Sequence, residues 1–589
     1  MAGTNAVTAP VFSSATGSTA GGSRTALPDA ASRPLFLRLL PAILAAIYFA
    51  VMMPIGADMI LHYPDERHYA YGGARMVETG DWLIPRTPQG EIRLKKPVIP
   101  YWFSAAGFEL LGIGVPGFRL FWVLAASGIL ILTYAIARGL GVPPAAALLA
   151  EVMIAANPVF LRAAINAIPD IPLTFFVTLA ALGVVRILAA REAPAGGGWA
   201  WVAWIGMALA VLAKGLLPIV LVAAVVAYLA AFDRAKLGAV LRPLPVLAAV
   251  VLVAAWYVYA AATYPAEFAA QFFGDQITGN AAKGPWRVFA ALPGYLLVGI
   301  FSFLAWPLLL AGLAIEKRPR LSPLAWPSPA RLLAAWCAVV VVVFAFSDAI
   351  DPRYLLPVMP AFAALLAAGM AALDGPALPR VSAACRWLLL PATAIGLILA
   401  VPEALILLQL GSGLAIALAA MGVAAWLAFA AAGWRRPRLA PYLLGATPIL
   451  AFGLLALAMA PVVLPDRGVP LAGALAASEV APTRAAFVGD VHTASETRLA
   501  AGAADPFVEV EKFPDVLAGG YCLVMATQRG AAQKLRDQGY TVSEVRGGWR
   551  EIDPARFLGA VFAWRLAEAR AANGSIGYVA ACGDQGTTG

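Results

Sequence analysis

The chain has 589 residues, of which 61 % are hydrophobic and 13 % charged, with a mean hydropathy of +0.80 and a net charge of +9. That composition excludes a water-soluble core, and apolar runs of roughly 17 to 25 residues recur along the chain, each long enough to cross a bilayer as a helix. The positive charge is not gathered on one basic face, so it is read as membrane topology, and nucleic-acid binding is not expected.

Residues 1–33, rich in Ala, Ser, Thr and Gly, are expected to be a disordered cytoplasmic N-terminus. They lack the charged and apolar regions of a cleavable signal, so the first span is expected to act as its own uncleaved signal. Backbone groups in lipid must be satisfied within a segment, and the period-2 alternation of a lipid-facing barrel is absent, so the runs predict helices. About thirteen spans are expected, at 36–57, 117–138, 143–160, 170–190, 199–213, 216–232, 243–262, 291–314, 331–346, 354–373, 386–403, 412–433 and 440–463. The fold class is therefore an all-α polytopic membrane protein.

Every second connection is basic, as at Arg138, at Arg186 and Arg191, at Arg234 and Lys236, at Lys317 to Arg320, at Arg380, and at Arg435 to Arg438. Cytoplasmic loops carry the excess of Lys and Arg. That phase puts the N-terminus inside, and the first outer loop (58–116) and the C-terminal segment (465–589) outside, which requires an odd number of spans. From about residue 465 the sequence turns to mixed polar composition. Strand-like runs at Ala485–Val488, Tyr521–Met525 and Thr541–Val545 alternate with a helix-like Ala531–Gln538, predicting a small α/β periplasmic domain. Cys522 and Cys582 both fall there, and whether they form a disulfide stays open.

The first outer loop concentrates the charge of this apolar chain. It holds Asp65, Glu66, Arg67, His68, Arg75, Glu78, Asp81, Arg86, Glu91, Arg93, Lys95 and Lys96. Charge kept beside a bilayer is costly and marks a functional site. Three elements follow in order: Tyr63-Pro-Asp-Glu-Arg-His-Tyr69, then Gly80-Asp-Trp-Leu-Ile-Pro85, then Lys95-Lys-Pro-Val-Ile-Pro-Tyr-Trp102. Together they resemble the first outer loop of membrane glycosyltransferases that use polyprenyl-phosphate sugars, the aminoarabinose lipid A transferase and protein O-mannosyltransferase superfamily with the GT-C fold. Asp170-Ile-Pro-Leu173, Lys214-Gly-Leu-Leu-Pro218, Trp256-Tyr257, Phe272-Phe-Gly-Asp-Gln276 and Asp351-Pro-Arg-Tyr354 extend the likeness over roughly residues 36–375. His68 stands where the family's acidic motif has Arg, Lys95 stands where it has Glu, and Ile277-Thr-Gly-Asn280 replaces its "RF" pair, which points to a different donor or acceptor.

The resemblance implies a GT-C-like catalytic domain over 34–464 that moves a sugar from a polyprenyl-phosphate donor to an envelope acceptor. That acceptor is a lipid A-like lipid, another lipid, a glycan or a protein, and the implied setting is a monomer in a bacterial inner membrane with a periplasmic active site. Such a reaction passes through an oxocarbenium-like state while negative charge gathers on the leaving phosphate. A carboxylate can take the acceptor proton, which assigns Asp65 and Glu66 as catalytic, and fixed cations can hold the phosphate. The substrate-binding candidates are Arg67, His68, Lys96, Asp170, Lys214, Lys283, Arg287, Arg353 and Tyr354.

Structural roles fit the same residues. Asp65 and Glu66 suit a helix N-terminus, Asp170 a helix cap, Lys96 and Lys214 snorkelling positions, and Arg353-Tyr354 an interfacial anchor. No cofactor is assigned, and a divalent ion bound by Glu66 or Glu91 with His68 stays open. The rival functional class is a transporter or flippase of a lipid-linked sugar. It would more often place ionisable groups at broken helices near the midplane, whereas this chain keeps them in its outer loops.

Overall fold

The computed structural model describes residues 35–58, 64–190, 197–215, 217–278, 292–297, 299, 302–303, 328–346, 351–372, 377–463, 468–528, 530–546, 554–573 and 576–582. The expected disordered N-terminus and the candidates Lys283 and Arg287 lie outside the described residues.

The chain is a multi-pass helical membrane protein. Among the described residues nine helices are long and apolar enough to cross a membrane. Where one span was expected at 143–160, two helices, 144–155 and 158–165, are bent by 62° and make a tenth if counted together. The expected spans at 199–213 and 216–232 appear as shorter apolar helices, Gly198–Lys214 and Leu217–Phe232. Most of the expected span at 291–314 lies outside the described residues, so thirteen is not the number the described residues give.

In chain order the first helices are α1 (Leu35–Asp58), α2 (Glu66–Thr79), α3 (Ile99–Leu111), α4 (Val115–Gly139), α5 (Pro144–Ala155), α6 (Pro158–Ile165), α7 (Asp170–Ala189) and α8 (Gly198–Lys214). Helices α2 and α3 lie within the stretch expected as a loop. Gly80, at φ +73°, ends α2 in the left-handed region that glycine adopts without strain. A Cβ on Gly72 would stand 2.6 Å from the Tyr101 ring, and one on Gly73 2.6 Å from Ser104, so the two glycines let α2 lie directly on α3.

Helices α7 and α8 are held together in the same way. A Cβ on Gly183 would meet the Trp199 carbonyl at 2.7 Å, and one on Gly206 the Phe176 carbonyl at 2.9 Å. Small residues allow backbones to approach where dispersion, rather than water exclusion, drives association. The pairing brings the first residue of α7, Asp170, to the last residue of α8, Lys214.

Outside the bundle, a five-stranded sheet has the order β2-β1-β3-β5-β4, with strands β1 (Ala485–Val488), β2 (Val508–Val510), β3 (Leu523–Ala526), β4 (Tyr540–Arg546) and β5 (Ile576–Cys582). Strands β1, β2 and β3 run parallel, while β5 pairs antiparallel with both β3 and β4. The sheet buries Phe487, Val488, Val524 and Met525 between the helices on its faces. This α/β region rests on α2. Asp505 accepts hydrogen bonds from Tyr71 Oη at 2.9 Å and Arg75 Nη1 at 2.7 Å, and the Ala504 amide donates to Glu78 at 2.7 Å. The first outer loop and the C-terminal region thus share one side of the bundle. Cys522 and Cys582 are free thiols, with the Cys582 amide donating to the Cys522 carbonyl at 2.9 Å.

Candidate active site

Asp170 opens α7 at 1 % exposure, but it does not cap that helix. Its Oδ1 lies 2.5 Å from Lys214 Nζ and its Oδ2 lies 3.8 Å from Arg353 Nη1. Arg353 belongs to a short 3-10 helix, Pro352–Val358, whose first turn is set by Asp351: its carboxylate accepts the Arg353 amide at 3.0 Å and pairs with Arg353 Nε at 2.8 Å. Tyr354 stacks on Phe344 with centroids 4.7 Å apart, and Lys214 Nζ lies 4.9 Å from the Tyr354 centroid. Residues from three separate apolar segments thus meet as one alternating set of charges. Snorkelling does not describe Lys214, and anchoring does not describe Arg353.

The first outer loop adds charge that is felt at this set. Lys96, just ahead of α3, is pushed down to about 8 by burial and by the like charge of Lys214, against the pull of Asp170 and Asp65. These couplings place Lys96 in the electrostatic field of both carboxylates. Asp65 is the N-cap residue of α2, yet its side chain makes no capping hydrogen bond, and it is half-buried. His68 is pushed down to about 3 by burial and by Arg93, Arg67, Lys95 and His492, and Arg67 Nε lies 3.4 Å from its Nε2. His68 is therefore a neutral imidazole in a cationic neighbourhood. That setting repels a divalent ion, and among the described residues no group of three His, Cys, Asp or Glu side chains is placed to hold a metal. Glu91 is exposed, and Glu66 is committed elsewhere.

Glu66 departs furthest from expectation. It is fully buried and ion-paired with Arg119 of α4, itself fully buried, while also accepting the Ala167 amide. Arg119 Nε donates to the Gly56 carbonyl of α1 at 3.2 Å. A carboxylate so enclosed ties α1, α2, α4 and the approach to α7 together, leaving Asp65 as the member of the acidic pair whose charge is felt at Lys96.

Beside this set is a cavity of about 280 Å³, lined in part by Arg162, Asn166, Asp351 and Arg353. Asn166 Oδ1 is buried with no hydrogen-bond partner among the described residues, an acceptor suited to a ligand hydroxyl. Asp351, Arg162, Asn166, Arg93 and Arg119 were not singled out by sequence reasoning. Asp351 was detectable as the start of the quoted Asp351-Pro-Arg-Tyr354 element and Arg93 as one of the concentrated loop charges, whereas the others carry no local signal.

The remaining motif residues hold the loop in place. Asp81 Oδ1 accepts the amides of Leu83 and Ile84 at 3.2 and 3.3 Å. Trp102 Nε1 donates to the Trp82 carbonyl at 2.6 Å, and Trp256 Nε1 to the Leu83 carbonyl at 3.0 Å.

Residues 38–269 match the family model described as dolichyl-phosphate-mannose-protein mannosyltransferase. An undecaprenyl phosphate-alpha-4-amino-4-deoxy-L-arabinose arabinosyl transferase of Edwardsiella ictaluri (strain 93-146) is 27 % identical over 336 residues, 57 % of this chain and 59 % of that protein. The crystal structure of ArnT from Cupriavidus metallidurans in the apo state superposes with a TM-score of 0.67 at 19 % identity, covering 87 % of this chain and 96 % of that one. The chain has the GT-C fold of the Cupriavidus protein. The same Cupriavidus protein bound to undecaprenyl phosphate gives a TM-score of 0.65 at 18 % identity over 93 % of this chain. An uncharacterized protein of Aquifex aeolicus (strain VF5) is 29 % identical over 307 residues. The chain spans 58 % and 59 % of the length of the Aquifex and Edwardsiella relatives. For this GT-C chain the structural likeness carries the fold.

Proposed function

We propose that this GT-C protein transfers a sugar from a polyprenyl-phosphate donor to an envelope acceptor on the periplasmic face of a bacterial inner membrane. The observation that carries the reading is the pairing of Asp170 with Lys214 and Arg353, with Lys96 in the field of Asp170 and Asp65, beside a cavity lined in part by Arg162, Asn166 and Asp351. Similarity of residues 38–269 to the dolichyl-phosphate-mannose-protein mannosyltransferase model, and a structural relative described as bound to undecaprenyl phosphate, support it. In this reading the acceptor oxygen attacks the sugar C1, Asp65 takes the acceptor proton, and the C1–O bond to phosphate breaks as polyprenyl phosphate departs. Lys96 and Arg353 hold the phosphate, whose added charge is stabilised more strongly here than in bulk water. Asp170 acts as a positioning residue, keeping Lys214 and Arg353 apart and oriented. Glu66 is reassigned from catalysis to positioning through Arg119.

Purified protein and a labelled undecaprenyl-phosphate sugar test the reading. Release of undecaprenyl phosphate is expected, falling by about two orders of magnitude in Asp65→Asn with unfolding unchanged, the usual scale for a positioned base. Movement of the intact donor across the bilayer without cleavage would establish the transporter class instead.

A further inference from the structure

A second cavity, of about 610 Å³, opens where the first outer loop faces the C-terminal α/β region. The 280 Å³ cavity near Arg353 shares no lining residue with it. One wall is the turn following Arg86. There an isolated antiparallel bridge joins Arg86 to Ile92, the Gly90 amide donates to the Thr87 carbonyl at 2.9 Å, and Arg86 itself reaches the Gly90 carbonyl at 3.2 Å and Tyr264 Oη at 3.4 Å. The facing wall is β2 with the Pro482–Arg484 turn. The floor is fixed by Asp505, which both Tyr71 and Arg75 grip. Burial and the Asp505 carboxylate raise the Tyr71 phenol above its ordinary pKa, so it stays a neutral donor. The cleft is therefore preorganised.

Its chemistry selects among ligands. Arg75 and Arg86, with Arg498 behind the wall paired to Glu509 at 2.8 Å, are balanced by Asp505, Glu509 and Glu78, so the cleft has no net charge to attract a phosphate or a polyanion. Gln89, Thr87 and Thr483 add short-range donors and acceptors, and Tyr71 and Phe507 add aromatic surface. Balanced charge, dense hydrogen-bonding groups and aromatic rings suit a neutral polyhydroxyl chain. Along α2, Tyr71 and Arg75 lie about 9 and about 15 Å from Asp65 at 1.5 Å per residue, which is the reach of a short oligosaccharide.

We infer that this cleft binds the neutral glycan portion of the acceptor, holding it while one end lies at Asp65. The inference rests on the transferase reading and extends it by naming the acceptor's class as sugar-bearing. Strand β2 is an edge of the sheet, so an extended peptide is the competing occupant.

Two substitutions that fill the cleft from the C-terminal side, Thr483→Trp and Val508→Trp, touch none of the residues assigned to chemistry. Full-length protein in nanodiscs is examined by saturation-transfer NMR against the deacylated, dephosphorylated glycan fraction of the envelope lipids, and separately against a mixture of unstructured peptides. Transfer to sugar protons is expected in the unsubstituted protein, weakened at least tenfold in both variants, with retained binding of undecaprenyl phosphate showing that both are folded. Absence of sugar signal in the unsubstituted protein, equal signal in all three, or binding of the peptides in place of the glycan would overturn the inference. The undecaprenyl phosphate release assay separates the two claims: glycan binding without release refutes the transferase reading alone, and release without glycan binding refutes the cleft assignment alone.

Discussion

Lys96 offers the sharpest test of the proposed donor site, because its surroundings set a pH at which the site should fail. Burial and Lys214 lower its pKa from 10.5 to about 8, while Asp170 and Asp65 pull the other way. Protonated lysine is the form that holds phosphate, so below pH 8 the cation is present and above it the cation is lost. At pH 7 about nine-tenths of the free protein carries the charge, at pH 9 about one-tenth, and at pH 10 about one-hundredth, tenfold per unit. A sugar phosphodiester keeps its single negative charge over that whole range, so the donor contributes no change of its own. The bound anion favours the ammonium, which moves the fall in kcat to higher pH than the fall in kcat/KM. Steady-state release of undecaprenyl phosphate from pH 6.5 to 10 should show kcat/KM declining through about pH 8. Lys96→Arg, charged throughout, should flatten that limb, and Lys96→Ala should be low and flat. An unchanged limb in both variants would remove Lys96 from the phosphate site.

Breaking one half of the buried Glu66–Arg119 pair, as in Arg119→Met, should cost about 3–5 kcal/mol, read by denaturant unfolding in detergent. A variant as stable as the parent would contradict the positioning role. Gly206→Val inserts a branched side chain where α8 meets the Phe176 carbonyl, so about 1–3 kcal/mol of stability should be lost together with activity, since Asp170 and Lys214 separate. Full activity in that variant would show that the close approach does not set the pair. A reporter fused after Pro465 should behave as periplasmic and one after Arg318 as cytoplasmic; a cytoplasmic result for the first would overturn the assigned orientation. Asp505→Ala removes a half-exposed ion pair worth at most about 1 kcal/mol, so global unfolding should barely change while proteolysis between the bundle and the sheet region accelerates.

Much of the architecture was legible because its causes are local. Apolar length identifies a span, and hydropathy along α1, α4 and α7 found those helices within a few residues. Local pattern could not distinguish the continuous helix Ala377–Leu410 from the expected span at 386–403, because Pro391 and Pro402 lie within it rather than ending it. The bend between α5 and α6 escaped for the opposite reason: Asn157 accepts the amides of Val159 and Phe160 and starts a new helix inside one apolar run. Within the site, charge in an apolar context drew attention to Asp170, Lys214 and Arg353 one at a time. Their mutual pairing is set by the approach of α7 to α8 and by a turn some 180 residues away in sequence from Asp170, which no periodicity records. The division of Asp65 and Glu66 into unlike roles needed Arg119, a residue whose neighbours in sequence give no hint of a buried ion pair.

Helix α2 carries Asp65 at one end and the Asp505 contacts along its side, over 14 residues and about 21 Å. A hydrogen-bonded rod of this length, pinned at its head by a buried ion pair and along its flank by α3, transmits displacement rather than absorbing it. Whatever factor a ligand at the C-terminal region imposes on affinity at the phosphate site must be returned in equal measure. Donor affinity measured with and without the sheet region engaged would give that factor directly, and its sign would say whether the two substrates are admitted in a preferred order.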